Sequence, residues 1–474
     1  MASKNISFDS IPGSIRKPGK YFEFNTKLAV HNLPANTQEL LVIGQRLASG
    51  SVAAMVPTLV FSDAEAATYF GQGSMLHRMV RAAIKANAYL SLTCLAVEDA
   101  TAGIAAVGGL ALTGPATGSG VATLKVGKDL IQVAVDSGDT AVEVAAALVA
   151  QVAQQLDLPV AITAAQAALT ITAKHKGTLG NAIALSFTST ASGLAGAVTA
   201  MTGGQVDPNI TEALALVAGA GHTIILCPYT DETNLTALRT HLDFVGGPME
   251  QRGATAYYAL TGSIASATTL AAKINNGRVV GALLRGSRSL PWEIAAAYGA
   301  VVASEEDPAR PLNTLALTGI DVPDVAERLI RTEQEVLLHN GVAPLEVGPD
   351  NNSVQIVRAI TTYQVNEAGA DDESLLDVTS IRTLDYTRKA MRERVSLRFP
   401  RAKLNERTPA KVRSELLDVA YILDDLEILE NVKLYQDYLI CERDLQSATR
   451  LDARIPADVV NGLHVFAARI DMFL

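Results

Sequence analysis

Short apolar runs alternate with amphipathic stretches in two separate parts of the chain, on either side of a long segment almost without charge. Glu39-Leu-Leu-Val-Ile-Gly44 reads as a buried strand. Ser62-Asp-Ala-Glu65 then has capping-box spacing, in which a hydroxyl accepts a first-turn amide and the glutamate reaches back to the cap amide. A helix is expected from Ser74 through Ala88, and Tyr89 to Val97 returns as a strand. The rhythm resumes with helix Thr211 to Ala218, strand Thr223 to Cys227, helix Asn234 to Leu242, strand Ala254 to Leu260, helix Ile264 to Ile274 and strand Val279 to Leu284. Strands separated by helices predict an α/β core with parallel neighbours. One such core, interrupted between about residues 100 and 205, accounts for the alternation better than two unrelated cores.

Charge follows the same division. Residues 101 to 200 carry nine charged side chains, whereas residues 371 to 474 carry 35, of which 16 are basic and 19 acidic. Within the charge-poor segment, Val121 to Val126, Leu130 to Val135 and Ile171 to Ala173 read as strands and Asp139 to Gln154 as a helix, making a small mixed domain. The glycines at 108, 109, 114, 118 and 120 fit its hinge or entrance. Pro308, Pro311, Gly319 and Pro323 predict a loop over the core. A shorter α+β unit follows: Ser353 to Gln364 is strand-like, Leu375 to Arg398 is a long helix, and Pro409 starts a helix running through Leu429. Val459 to Leu474 places strand formers at the terminus, where a strand needs partners.

Several functional classes lose their support. The formal net charge is -10, which argues against a generally basic nucleic-acid binder. Cys94, Cys227 and Cys441 are too few and too scattered for a disulfide scaffold or a clustered zinc site. The opening residues read as an extended arm rather than an export signal, and the uncharged stretch from Gly177 to Val206 is too rich in Gly, Thr, Ser and Asn for a membrane span. The best catalytic collection is His222, Cys227, Asp231 and Glu232, but strand positions five apart face opposite ways, so a packed cysteine is expected. Ser263 reads as a helix cap. The histidines at 31, 77, 175, 222, 241, 339 and 464 form no HExxH or close set, and Asp371-Asp-Glu373 reads as a polar helix entry. Gly71-Gln-Gly73 and Gly203-Gly204 read as turns, since neither completes a nucleotide-binding pattern. Arg388, Lys389, Arg392, Arg394, Arg398, Arg401 and Lys403 make the main basic concentration, expected to form an ion-pair surface within or between subunits, with Asp418, Asp424, Asp425, Glu427 and Glu430 as its counterpart. No catalytic, cofactor-binding or metal residues are assigned, and no cofactor is expected.

Five phrases in order carry a resemblance: Phe8-Asp-Ser-Ile-Pro12 with Arg16-Lys-Pro-Gly19, His175-Lys-Gly-Thr-Leu-Gly-Asn181, Pro228-Tyr-Thr-Asp231, Pro311-Leu-Asn-Thr-Leu-Ala-Leu-Thr-Gly-Ile320, and Asn461-Gly-Leu-His-Val-Phe-Ala-Ala-Arg-Ile-Asp471. Together they resemble the tail sheath proteins of contractile-tailed, Mu-like bacteriophages, over nearly the whole chain. The resemblance implies a multidomain α/β architecture: an N-terminal arm (1–35), a core in two parts (36–100 and 206–345), an inserted outer domain (101–205), a C-terminal α+β inner region (346–458) and a C-terminal strand or arm (459–474). It implies a structural, non-enzymatic subunit that polymerises around a tail tube and contracts to drive it through the host envelope. Its partners would be neighbouring sheath subunits in hexameric rings, the tail tube, and baseplate and terminator components, with no stable membrane insertion and no direct nucleic-acid role. Its place would be the virion tail, after assembly in the host cytoplasm. Val459, Val465, Phe466, Ile470 and Phe473 would then pack or set register on a neighbour's sheet edge, with Arg469 and Asp471 as polar guides. The alternatives are a sheath of a contractile bacteriocin or other injection machine, and an α/β hydrolytic enzyme using the His222 and Cys227 neighbourhood.

Overall fold

The computed structural model describes residue 11, residues 14–23 and residues 33–473. The first part of the core contains β1 (Glu39–Gln45), β2 (Thr58–Val60), α1 (Asp63–Phe70), α2 (Met75–Ala86) and β3 (Ser91–Val97). Seven strands and a helix follow: β4 (Ala105–Thr113), β5 (Gly120–Val126), β6 (Asp129–Val135), α3 (Ala141–Val152), β7 (Val160–Ala165), β8 (Ala168–Lys176), β9 (Leu185–Ser189) and β10 (Ala195–Thr202). The core resumes with α4 (Thr211–Val217), β11 (Ile224–Leu226), α5 (Glu232–Gly246), β12 (Thr255–Leu260), α6 (Ile264–Ile274), β13 (Val279–Leu283), α7 (Pro291–Ser304), α8 (Arg331–Leu338), β14 (Ala343–Val347) and β15 (Val354–Ile356). The charged C-terminal unit consists of α9 (Val378–Arg398), α10 (Thr408–Asp425), α11 (Val432–Tyr435), β16 (Ile440–Arg443) and β17 (Leu451–Arg454).

The core is an eight-stranded sheet in the order β15-β14-β13-β12-β11-β1-β3-β2. Pairing is parallel from β14 through β3, and only the edge strands β2 and β15 run antiparallel to their neighbours. Helices cover both faces of such a sheet, so its strands carry continuous apolar runs: Leu40 to Ile43 and Ile224 to Leu226 are fully enclosed. The strands between β3 and β11 pair among themselves, in a four-stranded sheet (β10-β4-β8-β7) and a three-stranded sheet (β6-β5-β9). The glycines at 108 and 109 lie inside β4, those at 114 and 118 join β4 to β5, and Gly120 opens β5, so none of them forms the expected entrance. The chain instead passes in and out beside Ile104 and Gln205, whose backbones exchange two hydrogen bonds.

This inserted part is fastened to the core by buried polar groups. Arg78 of α2, 3% exposed, donates to Glu293 of α7 at 2.7 Å and to the Asp157 carbonyl at 2.8 Å, and meets Asp129, the first residue of β6, at 2.9 Å. Lys128 adds a second cation to Glu293 at 3.0 Å. The phrase His175 to Asn181 completes the seam. His175 Nε2 accepts the Met75 amide at 2.9 Å, Asp207 accepts the Thr178 amide at 2.7 Å, and Asn181 exchanges hydrogen bonds with both backbone groups of Gly204.

Several expectations need correction. Glu65 does reach back beyond the Ser62 cap, but it accepts from Phe61 rather than from the cap residue itself. Of Ser353 to Gln364 only Val354–Ile356 is strand; beyond it Thr361 and Thr362 hydrogen-bond to Leu376 and Val279, which turns the segment away from β14. Asp371 to Glu373 do not start a helix: Asp372 accepts the Tyr363 hydroxyl at 2.7 Å, and α9 begins at Val378 with Asp377 as its cap residue. Residues 460–473 form no strand, and Val459 makes a single bridge to Leu429. A strand with no second strand beside it has no ladder to join. Phe8 to Pro12 lies outside the described residues apart from Ile11, while Arg16 to Gly19 is exposed and irregular.

Candidate assembly interface

α9 is long, charged and only partly covered, and its side chains sort by face. Tyr386, Ala390 and Met391 enter a separate small core with Val412, Leu416, Val419 and Leu423 of α10. Arg394 fixes the pairing of the two helices through Asp418 (2.6 Å) and Glu415 (3.2 Å), and Arg398 adds a contact to Glu415 at 3.5 Å. On the core side Asp385 is shared by Arg278 (2.6 Å) and Arg388 (2.8 Å), and Arg382 donates to the Glu305 carbonyl at the C-terminal end of α7, where a cation complements the helix dipole. Lys389 donates to the Ala35 carbonyl and Arg392 to that of Gln251. Most of the basic concentration is thus consumed within the subunit, while Arg401 and Lys403 are exposed. Among the described residues the acids meeting it are Asp385, Glu415 and Asp418, not Asp424, Asp425, Glu427 or Glu430. Glu415 is legible only as the residue one helical turn before Asp418 on α10.

Between these helices and the β16–β17 hairpin lies an apolar groove of about 640 Å³. Met391, Val395 and Phe399 line it from α9, Val412 and Leu416 from α10, and Leu451 from β17. β17 pairs with β16 in a two-stranded sheet, and among the described residues no further strand lies beside it. One edge of a short hairpin therefore faces a channel that could take side chains.

The C-terminal residues carry the matching chemistry. Val465, Phe466, Ile470, Met472 and Phe473 are 78% to 95% exposed, a large apolar surface for a chain end. Arg469 and Asp471, expected as polar guides, meet each other at 2.7 Å. Val459 does not belong with them, because it packs against the α9–α10 core. Closer to the root, Asn313 Nδ2 donates to His464 Nδ1 at 3.0 Å, and His464 Nε2 lies 3.6 Å from Asp377. Two of the sequence phrases noted above, Pro311 to Ile320 and Asn461 to Asp471, therefore meet in space.

The residues weighed for catalysis are placed otherwise. The Cys227 thiol is fully enclosed, points at the Tyr229 carbonyl (3.7 Å) and is pushed up to about 12 by burial. Burial lowers the pKa of His222. Asp231 caps α5, Glu232 pairs with Lys273 at 2.6 Å, and Ser263 caps α6 as expected. Among the described residues no three His, Cys, Asp or Glu side chains converge as a metal site, and no helix is long and apolar enough to cross a membrane. Burial raises the Cys94 thiol as well, so a thiol-reactive dye is expected to titrate at most Cys441 in the native protein and all three cysteines in denaturant. Rapid native reaction of a second thiol would contradict this packing.

A multidomain α/β protein with an inserted pair of sheets and an undocked apolar chain end is the class these features define. Residues 203–362 match the phage tail sheath protein central domain, and residues 370–473 match the phage tail sheath C-terminal domain. The Mu-like prophage FluMu tail sheath protein of Haemophilus influenzae is 33% identical over 489 aligned residues, covering 99% of this chain and 100% of that one. Among solved structures, the sheath tail protein of Listeria innocua superposes with a TM-score of 0.51 at 13% identity, covering 91% of this chain and 94% of that one. The sheath of an extracellular contractile injection system in its contracted state gives 0.51 at 11% identity, covering 97% and 98%. The two structural likenesses speak to fold. The chain belongs to the phage tail sheath family, and it is a structural subunit of a contractile tail sheath, with its place in the tail of the virion.

Proposed function

We propose that the subunit polymerises as hexameric rings stacked around a tail tube, between baseplate and terminator, after assembly in the host cytoplasm. In this reading residues 36–100 and 206–345 form the sheath core, 101–205 an outer domain and 346–458 an inner region. Residues 1–35 and 459–474 are the arms. The observation that carries it is the presence, in one chain, of an exposed apolar end and an apolar groove beside a strand edge that no other strand among the described residues pairs with. An end laid along β17 of a neighbour gains main-chain hydrogen bonds and buries alternate side chains in the groove. Head-to-tail exchange of this kind builds open helical arrays. Contraction is then a passage between two lattices in which the strand connections persist and whole subunits turn, and the work comes from surface buried in the contracted array. The subunit performs no covalent chemistry in this scheme, a reading supported by the separate packing of His222 and Cys227.

Electron microscopy of the purified chain tests it, with hollow striated sleeves as the expected product. Ala453 is exposed and lines the groove from β17, so Ala453→Arg should fill the groove while leaving the fold intact. That variant is expected to stay unassembled under conditions where the parent forms sleeves. Sleeves of normal yield from Ala453→Arg would remove the groove from the mechanism.

A further inference from the structure

We infer that His464 is the fixed root of the C-terminal connection: the chain up to His464 stays clasped to its own subunit in the sleeve, and only the residues beyond it cross to a neighbour. This rests on the proposed exchange of arms and specifies where the exchange begins.

Burial changes abruptly at that residue. Val460, Gly462 and His464 are each partly covered, alternating with exposed Asn461 and Leu463, and every described residue from Val465 onward is exposed. The covered residues lie against three elements of the same chain. Val459 bridges Leu429, behind α10. Gly462 passes so close to Pro311 that a Cβ at this position would sit 2.6 Å from the proline ring, which a larger residue could not do without displacing the chain. His464 accepts from Asn313 and faces Asp377, which is itself held by two hydrogen bonds from Arg358 at 2.8 and 2.7 Å. The imidazole is only 14% exposed, although the residues on either side of it are open to solvent.

A fixed root has consequences for a moving lattice. With the root at His464, residues 465 to 474 span about 30 Å when extended, at about 3.3 Å per residue. If the root released back to β17, roughly ten more residues would join the tether and its reach would about double. A short tether keeps the free end at high effective concentration near one neighbour and favours one partner over others. It also passes load from the joint to the loop carrying Asn313 and to the start of α9, rather than peeling Val459 and β17 from the α9–α10 core.

The test is a cysteine pair placed beside the clasp. Pro311→Cys with Gly462→Cys, in a Cys441→Ser background, places a thiol on each of two residues in direct contact, with the His464 ring giving way because its Nε2 would lie 2.8 Å from the new Cβ. Mild copper-catalysed oxidation in air is applied to free subunits and, separately, to sleeves grown under reducing conditions, followed by nonreducing electrophoresis. An intrachain product in both samples is expected. An interchain ladder from the sleeves would overturn the proposal, because the root would then have crossed with the arm, whereas absence of sleeves from the parent chain would count against the exchange itself. Oxidation of free subunits also reads the clasp directly. His464→Ala and His464→Asn both remove the ring from beside residue 462 and only Asn keeps an acceptor near Asn313, so the Asn variant should form the intrachain disulfide about tenfold faster than the Ala variant. Equal rates for His464→Ala and His464→Asn would also overturn it.

Discussion

A chain ending at His464 is expected to fold like the full-length subunit and to form no sleeves. The described residues among those removed, 465–473, are all exposed, so their loss takes nothing from the core, and thermal unfolding should shift by no more than about 1–2 °C. Assembly should fail for a separate reason. In an extended segment Phe466, Ala468, Ile470 and Met472 share one face, opposite Arg469 and Asp471. Three large apolar side chains on that face, moved from water into the groove, contribute about 1.5–3 kcal/mol each, so one joint loses roughly 5–9 kcal/mol before ordering entropy is subtracted. A polymer in which each subunit makes the same joint does not survive a loss of that size. Starting the deletion at Val459 would be less informative, because Val459 packs against the α9–α10 core and its removal would disturb the subunit. Electron microscopy together with sedimentation distinguishes the outcomes. Folded truncated subunits that still build sleeves would show that the arm is dispensable.

The alternating body was legible in the sequence because helix and strand periods differ and caps punctuate them. Ser62 and Ser263 each accept the expected first-turn amide, and Ser74, read only as the start of a helix, accepts one as well. α7 was not legible, because Pro291 to Val302 is buried all round and shows no polar face from which a period could be read. Gly299 within it lies against β11, where a Cβ would come 2.1 Å from Leu226 Cδ2, a packing role no local pattern announces. The hairpin β16–β17 was missed for the opposite reason: Ile440 to Arg443 and Leu451 to Arg454 are short, and charged residues interrupt them. The apolar terminus reads as material for a strand, yet residues 460–473 form none within the subunit, and the sequence could not say that the first of them dock on Pro311 and Asn313, some 150 positions away. Charge was the least transparent signal. Residues 388 to 403 read as an ion-pair surface within or between subunits, and Arg388, Arg394 and Arg398 do pair with carboxylates of the same chain, but of the acids expected there only Asp418 is among them.

The same blindness to long-range pairing hides the site where a single substitution should cost most stability. Arg78, Asp129 and Glu293 come from α2, the start of β6 and α7, and meet where the inserted strands join the core. Burial alone would raise the pKa of Glu293, but the charges of Arg78 and Lys128 more than reverse it and hold the carboxyl below its usual range. Arg78→Ala leaves that carboxylate enclosed with Lys128 alone, and removing one partner of a buried pair costs about 3–5 kcal/mol. Because Arg78 also holds Asp129 and the Asp157 carbonyl, the cost should fall on the junction. Calorimetry is expected to show the inserted part unfolding separately and earlier, in place of a shared transition. Arg78→Met with Glu293→Leu removes both charges of the central pair and should lose less than either substitution alone, which is the signature of coupling. The pH dependence has a definite sign. A carboxyl whose folded pKa lies below its unfolded value adds stability that is complete above the unfolded value, near 4.3, and is lost as pH falls through the folded one. The parent seam should therefore weaken on acidification below about pH 4, and Glu293→Gln should abolish that part of the dependence while lowering stability at neutral pH. A single unchanged transition in Arg78→Ala would mean that apolar packing alone joins the insert to the core, and the buried charges would then be tolerated there rather than needed.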